Sequence, residues 1–365
     1  MSIILKSNTA LANVVKLSDK LSIAPVVNLD FRRDDYSVLG IKKDIGDVLD
    51  VERVGVAGGL DALGNYGEYS SNQPVISVEQ SNLKKGLYVE YPNWNYFKDS
   101  SNPKTQVVSF TMETKHVTRI SVVGSGSLEL YSDGVLIGVA IESNAFWINP
   151  PTATKRYTLT AKVIGYLDYM QCSVSDIASS TISRIVTPTG DGASNTSSKI
   201  KIKRAVLDSA LPTFNGCIVV KIHHPLLTLN GVSGYADLQP TRTTTGYFEV
   251  LTDAKKGVFT AYQSNGGLGH VLRSDTNTVA DRGDLKPALP TNIMALNITP
   301  TRATAYVNGR FLNFLTFDNQ AFRDIYLLGL SGAWSIRFGS LYLEQCVIYN
   351  RNLTEDELTR ITSPD

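Results

Sequence analysis

The sequence predicts an all-β protein built from two antiparallel β-sandwiches. Residues 105–174 and 202–365 alternate apolar with polar residues and are rich in Val, Ile, Thr and Tyr, the pattern of half-buried strands. Asp-Gly and Asn-Gly pairs stand between such segments, where they supply the positive φ angles of two-residue hairpin turns. A helix signature is found at the C-terminal end.

The N-terminal part of the chain predicts little regular structure. Residues 1–28 carry short apolar pieces between small polar residues, which predicts an extended N-terminal attachment arm that pairs with a partner or with the rest of the chain. Residues 29–104 are dense in Gly, Asn, Asp and Tyr. We expect this region to be irregular, rich in short strands and turns, and to join the middle domain.

The middle of the chain predicts a small sandwich followed by a linker. Residues 105–174 form the sandwich, with a hairpin turn at Asp133-Gly134. Residues 175–201 are poor in aromatic side chains and crowded with Ser, Thr and Gly, a composition typical of a connector.

The C-terminal region, residues 202–365, predicts a second and longer sandwich that ends in a short helix. Asn308-Gly309 is the preferred pair for a type I′ turn and predicts a hairpin. Thr354 and Glu357 have the spacing of a capping box, in which each side chain satisfies a backbone N–H group of the other residue. Leu358 and Ile361 would then face the core.

Composition excludes several classes of function. The 35 basic and 34 acidic residues nearly cancel, without a run of like charges, which disfavours nucleic-acid binding. No apolar run is long enough to span a membrane, and no signal peptide is recognisable. We therefore expect a protein made in a cytoplasm that leaves the cell by another route, such as lysis. The three cysteines are far apart and predict buried free thiols.

The C-terminal segments resemble a known fold family. A strand ending in Tyr-Val-Asn-Gly, a strand containing Leu-Gly-Leu, and the run from Tyr349 to Glu357 occur in the order found in laminin-G-like and pentraxin-like concanavalin A folds. The resemblance covers about the last 70 residues well and the region from residue 214 more loosely. It implies a concanavalin A-like C-terminal sandwich. The alternating strands of residues 105–174 predict that the small middle sandwich beside it is jelly-roll-like.

The N-terminal region resembles bacteriophage tail and fibre-associated proteins. The resemblance rests on Asp30-Phe31, on Tyr36 to Val38, and on the segment Leu-Lys-Lys-Gly-Leu-Tyr-Val-Glu that precedes Tyr91. It implies a virion component released by host lysis, with other virion subunits as partners. Such proteins are commonly homo-oligomers, although no heptad or collagen-like repeat supports this here.

The sequence predicts neither a catalytic nor a metal site. Glucanases of the concanavalin A-like superfamily place paired carboxylates at alternate strand positions, and that motif is absent. Glu249 and Glu344 stand singly in candidate strands, which is typical of solvated strand faces. The adjacent His223 and His224 would point to opposite faces of a strand, so they cannot chelate one metal together. We expect no enzymatic activity, no cofactor and no metal.

Aromatic residues are the candidate ligand-binding positions, and they are Tyr88, Tyr91, Trp94, Tyr96 and Trp334. The rings of Tyr and Trp stack on the C–H faces of sugars. The competing interpretation is an anchor between domains or subunits, which the enrichment of Tyr and Trp at interfaces favours.

Two functions of different class therefore remain open. The first is a non-enzymatic structural or adhesion protein of a phage tail, fibre or surface decoration, which binds a host-surface glycan or neighbouring virion subunits. The second is a carbohydrate-active hydrolase, or the carbohydrate-binding module of a glucanase-like protein. Fold alone does not decide between them.

Overall fold

The computed structural model describes most of the chain, with gaps. The described residues are 15–61, 63–78, 84–89, 94–114, 116–176, 186–187, 193–194, 199–213, 215–223, 243–252, 257–264, 268–273, 278–285, 291–316, 322–327 and 341–364. Three short α-helices occur among them, namely α1 (Ile45–Val48), α2 (Arg204–Ala210) and α3 (Glu355–Thr362), and a single 3₁₀ turn spans Leu17–Asp19. No helix in these ranges is long and apolar enough to cross a membrane.

Strands account for most of the described structure. Those before the middle region are β1 (Val27–Asp30), β2 (Asp35–Val38), β3 (Ile41–Lys42), β4 (Leu49–Glu52), β5 (Ala57–Leu60), β6 (Tyr66–Tyr69), β7 (Val75–Val78) and β8 (Lys85–Val89). Those of the middle region are β9 (Trp94–Asn95), β10 (Gln106–Met112), β11 (His116–Val123), β12 (Ser127–Ser132), β13 (Val135–Ile141), β14 (Phe146–Ile148), β15 (Lys155–Ile164), β16 (Tyr169–Asp176) and β17 (Ala193–Ser194).

The C-terminal region contributes the longest strands. They are β18 (Lys199–Ile202), β19 (Gly216–His223), β20 (Thr243–Thr252), β21 (Gly257–Ser264), β22 (Leu268–Arg273), β23 (Thr278–Leu285), β24 (Thr291–Ile298), β25 (Arg302–Val307), β26 (Arg310–Thr316), β27 (Phe322–Leu327) and β28 (Leu341–Tyr349). Every pairing among these strands is antiparallel, which confirms the predicted all-β class.

The larger sandwich consists of a ten-stranded and a seven-stranded sheet. In the ten-stranded sheet the order is β26-β25-β24-β19-β28-β1-β2-β3, and β8 pairs with both β28 and β7. In the seven-stranded sheet the order is β23-β22-β21-β20-β27-β18-β4. Alternate residues of both sheets fill the core between them, among them Val27, Leu87, Ile218, Ile325 and Leu343. Sheets that each bury one apolar face account for this two-layer architecture.

The smaller sandwich packs the sheet β10-β15-β12-β13 against the sheet β14-β11-β16. Its core is separate and contains Phe97, Phe110, Ile120, Leu128 and Met170. The hairpin turn predicted at Asp133-Gly134 is confirmed, because both residues have positive φ angles, 50° and 80°.

Most of the N-terminal strands, β1 to β4 together with β7 and β8, belong to the larger sandwich, which differs from the expectation for residues 29–104. Strand β1 pairs with β28, and β4 pairs with β18. The hairpin β5–β6 does contact the middle sandwich, where Tyr66 stacks on Tyr169 with ring centroids 5.2 Å apart. The sequence does not predict the pairing of β1, because Val27 and Leu29 pack against residues from the opposite end of the chain.

Two further boundary expectations need correction. The predicted linker includes residues 199–201, but they lie in β18, whose Ile200 is buried in the core. The predicted arm includes residues 27 and 28, but they lie in β1. Of the rest of the arm, residues 1–14 lie outside the described residues, and Leu17 and Leu21 are buried beside Val347 and Leu358.

The predicted C-terminal elements are confirmed. Asn308 and Gly309 have φ angles of 48° and 79°, as a type I′ turn requires, and they join β25 to β26. Thr354 and Glu357 form the capping box of α3. All three cysteines are free and buried, and burial raises the pKa of the Cys346 thiol to about 12.

Candidate functional site

A bulge in β28 brings polar side chains together on the outer face of the ten-stranded sheet, the face turned away from the seven-stranded sheet. Lys221 pairs with Gln345 and the next residue, Ile222, pairs with Leu343, so Glu344 is an extra residue in β28. Because of this bulge, Leu343 and Cys346 both lie in the inner core although they are three residues apart. The side chains of Glu344 and Gln345, which lie between these two residues, are on the outer face.

Strands β1 and β8 meet at this bulge. β19 occupies one side of β28, while β1 pairs with its other side at residues 345–348 and β8 with that same side at residues 341–343. Glu344 therefore lies at the junction between the ends of β1 and β8. After β1 the chain turns tightly, and the Phe31 N–H group donates to the Glu344 carbonyl oxygen at 3.0 Å.

The side chains at this junction form what we call the Arg32 cluster, which consists of Asp30, Arg32, Arg33, Lys84, Glu344 and Gln345. The Asp30 carboxylate accepts from the Arg32 backbone N–H (3.1 Å), from Arg33 Nη1 (2.8 Å) and from Gln345 Nε2 (2.7 Å). Gln345 Oε1 accepts from the Leu17 N–H group at 3.1 Å. Asp30 and Gln345 thus hold the turn against β28.

Arg32 and Glu344 are held much more loosely. Arg32 Nη1 lies 3.5 Å from Glu344 Oε2, Lys84 Nζ lies 3.5 Å from Glu344 Oε1, and Arg32 Nε lies 3.7 Å from Asp30 Oδ1. Charge-assisted hydrogen bonds are usually about 2.7–2.9 Å long. Three buried atoms, Arg32 Nε, Arg32 Nη2 and Glu344 Oε1, accordingly make no hydrogen bond.

Burial makes these open hydrogen-bonding positions costly. The Arg32 and Glu344 side chains are 5% and 2% exposed, whereas Lys84 at the edge of the cluster is 36% exposed. A buried polar group without a partner costs roughly 1–3 kcal/mol, and more when it is charged. The cluster therefore offers two donors and one acceptor that a bound molecule could satisfy, with Lys84 on the side that reaches solvent.

Polar side chains of β19 and β24 lie next to the cluster. His223 is buried, and its Nδ1 lies 3.3 Å from Thr291 Oγ1, which also contacts Lys84. Tyr342 lies beside His223, with ring centroids 6.5 Å apart, and its ring also packs on that of Tyr88 with centroids 5.1 Å apart. Within the part of the chain that the structure describes, no group of three or more His, Cys, Asp or Glu side chains could hold a metal ion.

The structure describes three of the five predicted aromatic positions, namely Tyr88, Trp94 and Tyr96. Tyr88 is buried against Tyr342, so we do not propose it as a stacking surface. Trp94 is 42% exposed and lies 6.2 Å from the half-buried Tyr96, at the edge of the middle sandwich. Tyr91 and Trp334 lie outside the described residues.

Sequence reasoning missed the Arg32 cluster. The sequence predicts Glu344 on a solvated strand face, but the side chain is buried beside Arg32. A signal was present, because Glu344-Gln345 places two consecutive polar residues inside an otherwise apolar strand, which strict alternation does not allow. Asp30 and Arg32 gave no such signal, since their partners are more than 300 residues away.

Comparisons with known proteins give a limited likeness. No family model and no curated protein matches the sequence. Among solved structures, the carbohydrate-binding module CBM40 of the Ruminococcus gnavus IT-sialidase, bound to α2,3 sialyllactose, is 17% identical with a TM-score of 0.30, over 40% of this chain and 82% of that chain.

Two whole sialidases give similar values. The leech intramolecular trans-sialidase is 17% identical with a TM-score of 0.31, over 41% of this chain and 23% of that chain. The Trypanosoma rangeli sialidase in complex with sialic acid is 11% identical with a TM-score of 0.33, over 45% and 26%. A likeness at this level assigns neither a ligand nor an activity to this chain.

Proposed function

We propose that this chain is a non-enzymatic glycan-binding protein whose ligand site is the Arg32 cluster. The observation that carries the proposal is the set of buried, unsatisfied atoms, with two donors on Arg32 beside one acceptor on Glu344. A sugar hydroxyl both donates and accepts, so neighbouring hydroxyls can satisfy such a mixed set at once. Ligand sites typically combine a few convergent polar groups of this kind with aromatic neighbours.

The contacts of the two carboxylates favour binding over hydrolysis. Glycoside hydrolysis uses one carboxyl group as a proton donor beside a second carboxylate. Asp30 and Glu344 contact N–H donors and cations in the cluster, so both carboxyl groups act there as hydrogen-bond acceptors and ion-pair partners. Hydrolysis of a glycan by the wild-type chain would support the hydrolase hypothesis instead.

The exposed Trp94 ring is a second place where a glycan could contact the protein. Its position beside Tyr96 provides an aromatic surface at the edge of the middle sandwich. An anchor for a neighbouring subunit would use the same surface.

The biological setting belongs to the proposal as well. On the sequence resemblance to phage tail and fibre-associated proteins, the glycan is one on a host surface and the chain is a virion component beside other virion subunits. Locating the chain in a particle map tests this setting. Absence of the chain from purified particles would reject it.

A glycan array followed by calorimetric titration tests the binding function. The wild-type chain is expected to bind a defined set of glycans. Glu344→Gln is expected to weaken the best of them about tenfold or more, because it removes the carboxylate charge and replaces one of the two acceptor oxygens with an NH₂ donor. Glu129→Gln, on the middle sandwich and bonded to Tyr131, is the matched control and should bind as the wild type does.

Two results would reject the proposal. One is a wild-type chain that is folded and binds no glycan. The other is release of reducing sugar by the wild-type chain that Glu344→Gln abolishes, which would establish the hydrolase instead.

A further inference from the structure

The open donors of Arg32 lie on one edge of its guanidinium group. Arg32 Nη1 is directed at Glu344, while Nε and Nη2, which form the side-on edge of the group, make no hydrogen bond. Two parallel N–H groups on such an edge match the two oxygens of a planar oxyanion, the bidentate arrangement for which arginine is selected. A single hydroxyl can satisfy only one of these N–H groups in good geometry.

The charges of the cluster agree with an anionic group at this edge. Arg32, Arg33 and Lys84 supply three positive charges, and Asp30 and Glu344 supply two negative ones, so the formal charge of the cluster is +1. One carboxylate would neutralise it. The Asp30 carboxylate is already included in this sum, and its oxygens accept from the Arg32 backbone N–H, Arg33 and Gln345.

We infer that the glycan carries a carboxylate, whose two oxygens accept hydrogen bonds from Nε and Nη2 of Arg32. A hydroxyl of the same sugar then donates to Glu344 Oε1, the one open acceptor of the cluster. This inference rests on the proposed function, which identifies the ligand as a glycan. It adds the chemical class of the sugar, an acidic monosaccharide unit, and the residue that selects it.

The test compares sugars that differ in the carboxylate alone. Glycans that end in glucuronic, galacturonic or N-acetylneuraminic acid are titrated into the full chain, each together with its methyl ester. At least one acid is expected to bind about tenfold or more tightly than its ester, because esterification removes the charge and one acceptor position. Sulfated glycans of the same length serve as a second kind of oxyanion and are expected to bind more weakly than that acid.

Variants assign the preference to Arg32. Arg32→Lys keeps the positive charge but removes the two parallel N–H groups of the guanidinium edge. The preference for acid over ester should therefore fall to about threefold or less. Arg310→Lys is the matched control on an exposed arginine of the same sheet, and it should leave the preference unchanged. If Arg32→Lys does not fold, the wild-type chain still provides the test, since the ¹⁵Nε–H resonance of Arg32 should shift with the acid and not with its ester.

The two proposals fail in different ways. If glycans bind and depend on Glu344, but esters bind as tightly as acids or sulfated glycans bind as tightly as carboxylated ones, the carboxylate inference is overturned and glycan binding stands. If no glycan binds at all, both proposals are overturned.

Discussion

Arg32 shows how a single residue can combine burial with incomplete bonding. Its side chain is 5% exposed, yet its nearest carboxylate oxygens lie 3.5 and 3.7 Å away. The free-energy cost of removing a guanidinium group from water is offset by close hydrogen-bonded partners. For Arg32 this cost is only partly offset. Such a residue is expected where binding, rather than folding, is the constraint.

Removing the Arg32 charge should destabilise the fold. We expect Arg32→Met to lower the free energy of unfolding by about 3 kcal/mol, because Glu344 stays buried with one of its two cations gone. The double variant Arg32→Met/Glu344→Gln should recover part of this loss, since no uncompensated carboxylate remains at that position. Urea denaturation at pH 7 measures both. Equal stability of Arg32→Met and wild type would contradict the assigned burial.

At the scale of an element, α3 depends on its first turn. Thr354 Oγ1 accepts from the Glu357 N–H group at 3.3 Å, and Glu357 Oε2 accepts from the Thr354 N–H group at 2.8 Å. The helix carries Leu358 and Ile361 onto the outer face of the ten-stranded sheet. Its capping box therefore helps to keep Leu358 and Ile361 packed on that face.

The capping box gives a prediction about pH. Hydrogen bonds from Arg351 and from the Thr354 backbone lower the pKa of Glu357 to about 2, from an ordinary value near 4.5. A depressed pKa stabilises the fold above pH 4.5, and this contribution is lost as the pH falls towards 2. Glu357→Gln should therefore cost up to about 1 kcal/mol at pH 7 and much less near pH 2.5. Denaturation curves at the two pH values measure the difference, and a pH-independent cost would contradict the charge effect.

The hairpin β25–β26 gives a prediction about backbone conformation. Gly309 has a φ angle of +79°, and a Cβ atom there would lie 2.9 Å from Ser363 Oγ. Gly309→Ala should lower the free energy of unfolding by about 1–2 kcal/mol, because L-residues are strained at positive φ. Gly67→Ala in β6 is the control, since φ there is not positive and its Cβ would meet nothing within 4 Å. Similar losses in both variants would contradict the turn assignment.

At the scale of the whole molecule, the larger sandwich is assembled from both ends of the chain. Strands β1, β2, β3, β4, β7 and β8 join it from before the middle sandwich, and β18 to β28 join it from after. The middle sandwich has its own core and is inserted between them. Residue contacts of this kind, far apart in sequence, must form together for the larger core to close.

Fragments should behave according to this assembly. We expect residues 94–187 to fold alone, because they contain the complete middle core and the bonds between Ser100 and Thr187. Residues 199–365 should aggregate or unfold without cooperativity, because β28 loses β1 and β8 and exposes an unpaired edge. Size-exclusion chromatography and near-ultraviolet circular dichroism measure both. A monomeric, cooperatively unfolding C-terminal fragment would contradict the shared core.

The features that local chemistry specifies were predictable from the sequence. The Asp133-Gly134 and Asn308-Gly309 turns, the capping box of α3 and the alternating strands on either side of the linker each depend on residues a few positions apart. Propensity, turn chemistry and capping act over that distance, so the fold class and the local elements follow from the sequence alone.

The tertiary structure alone decided which strands became neighbours and where the candidate site lies. Arg32 and Glu344 are 312 residues apart, and they meet because β1 closes the ten-stranded sheet beside a bulge in β28. Strand pairing at such separations is set by which combination of strands buries the apolar faces of the whole chain and satisfies their backbone hydrogen bonds. That balance is a property of the assembled molecule, which is why the strand-forming segments could be read from the sequence while the Arg32 cluster could not.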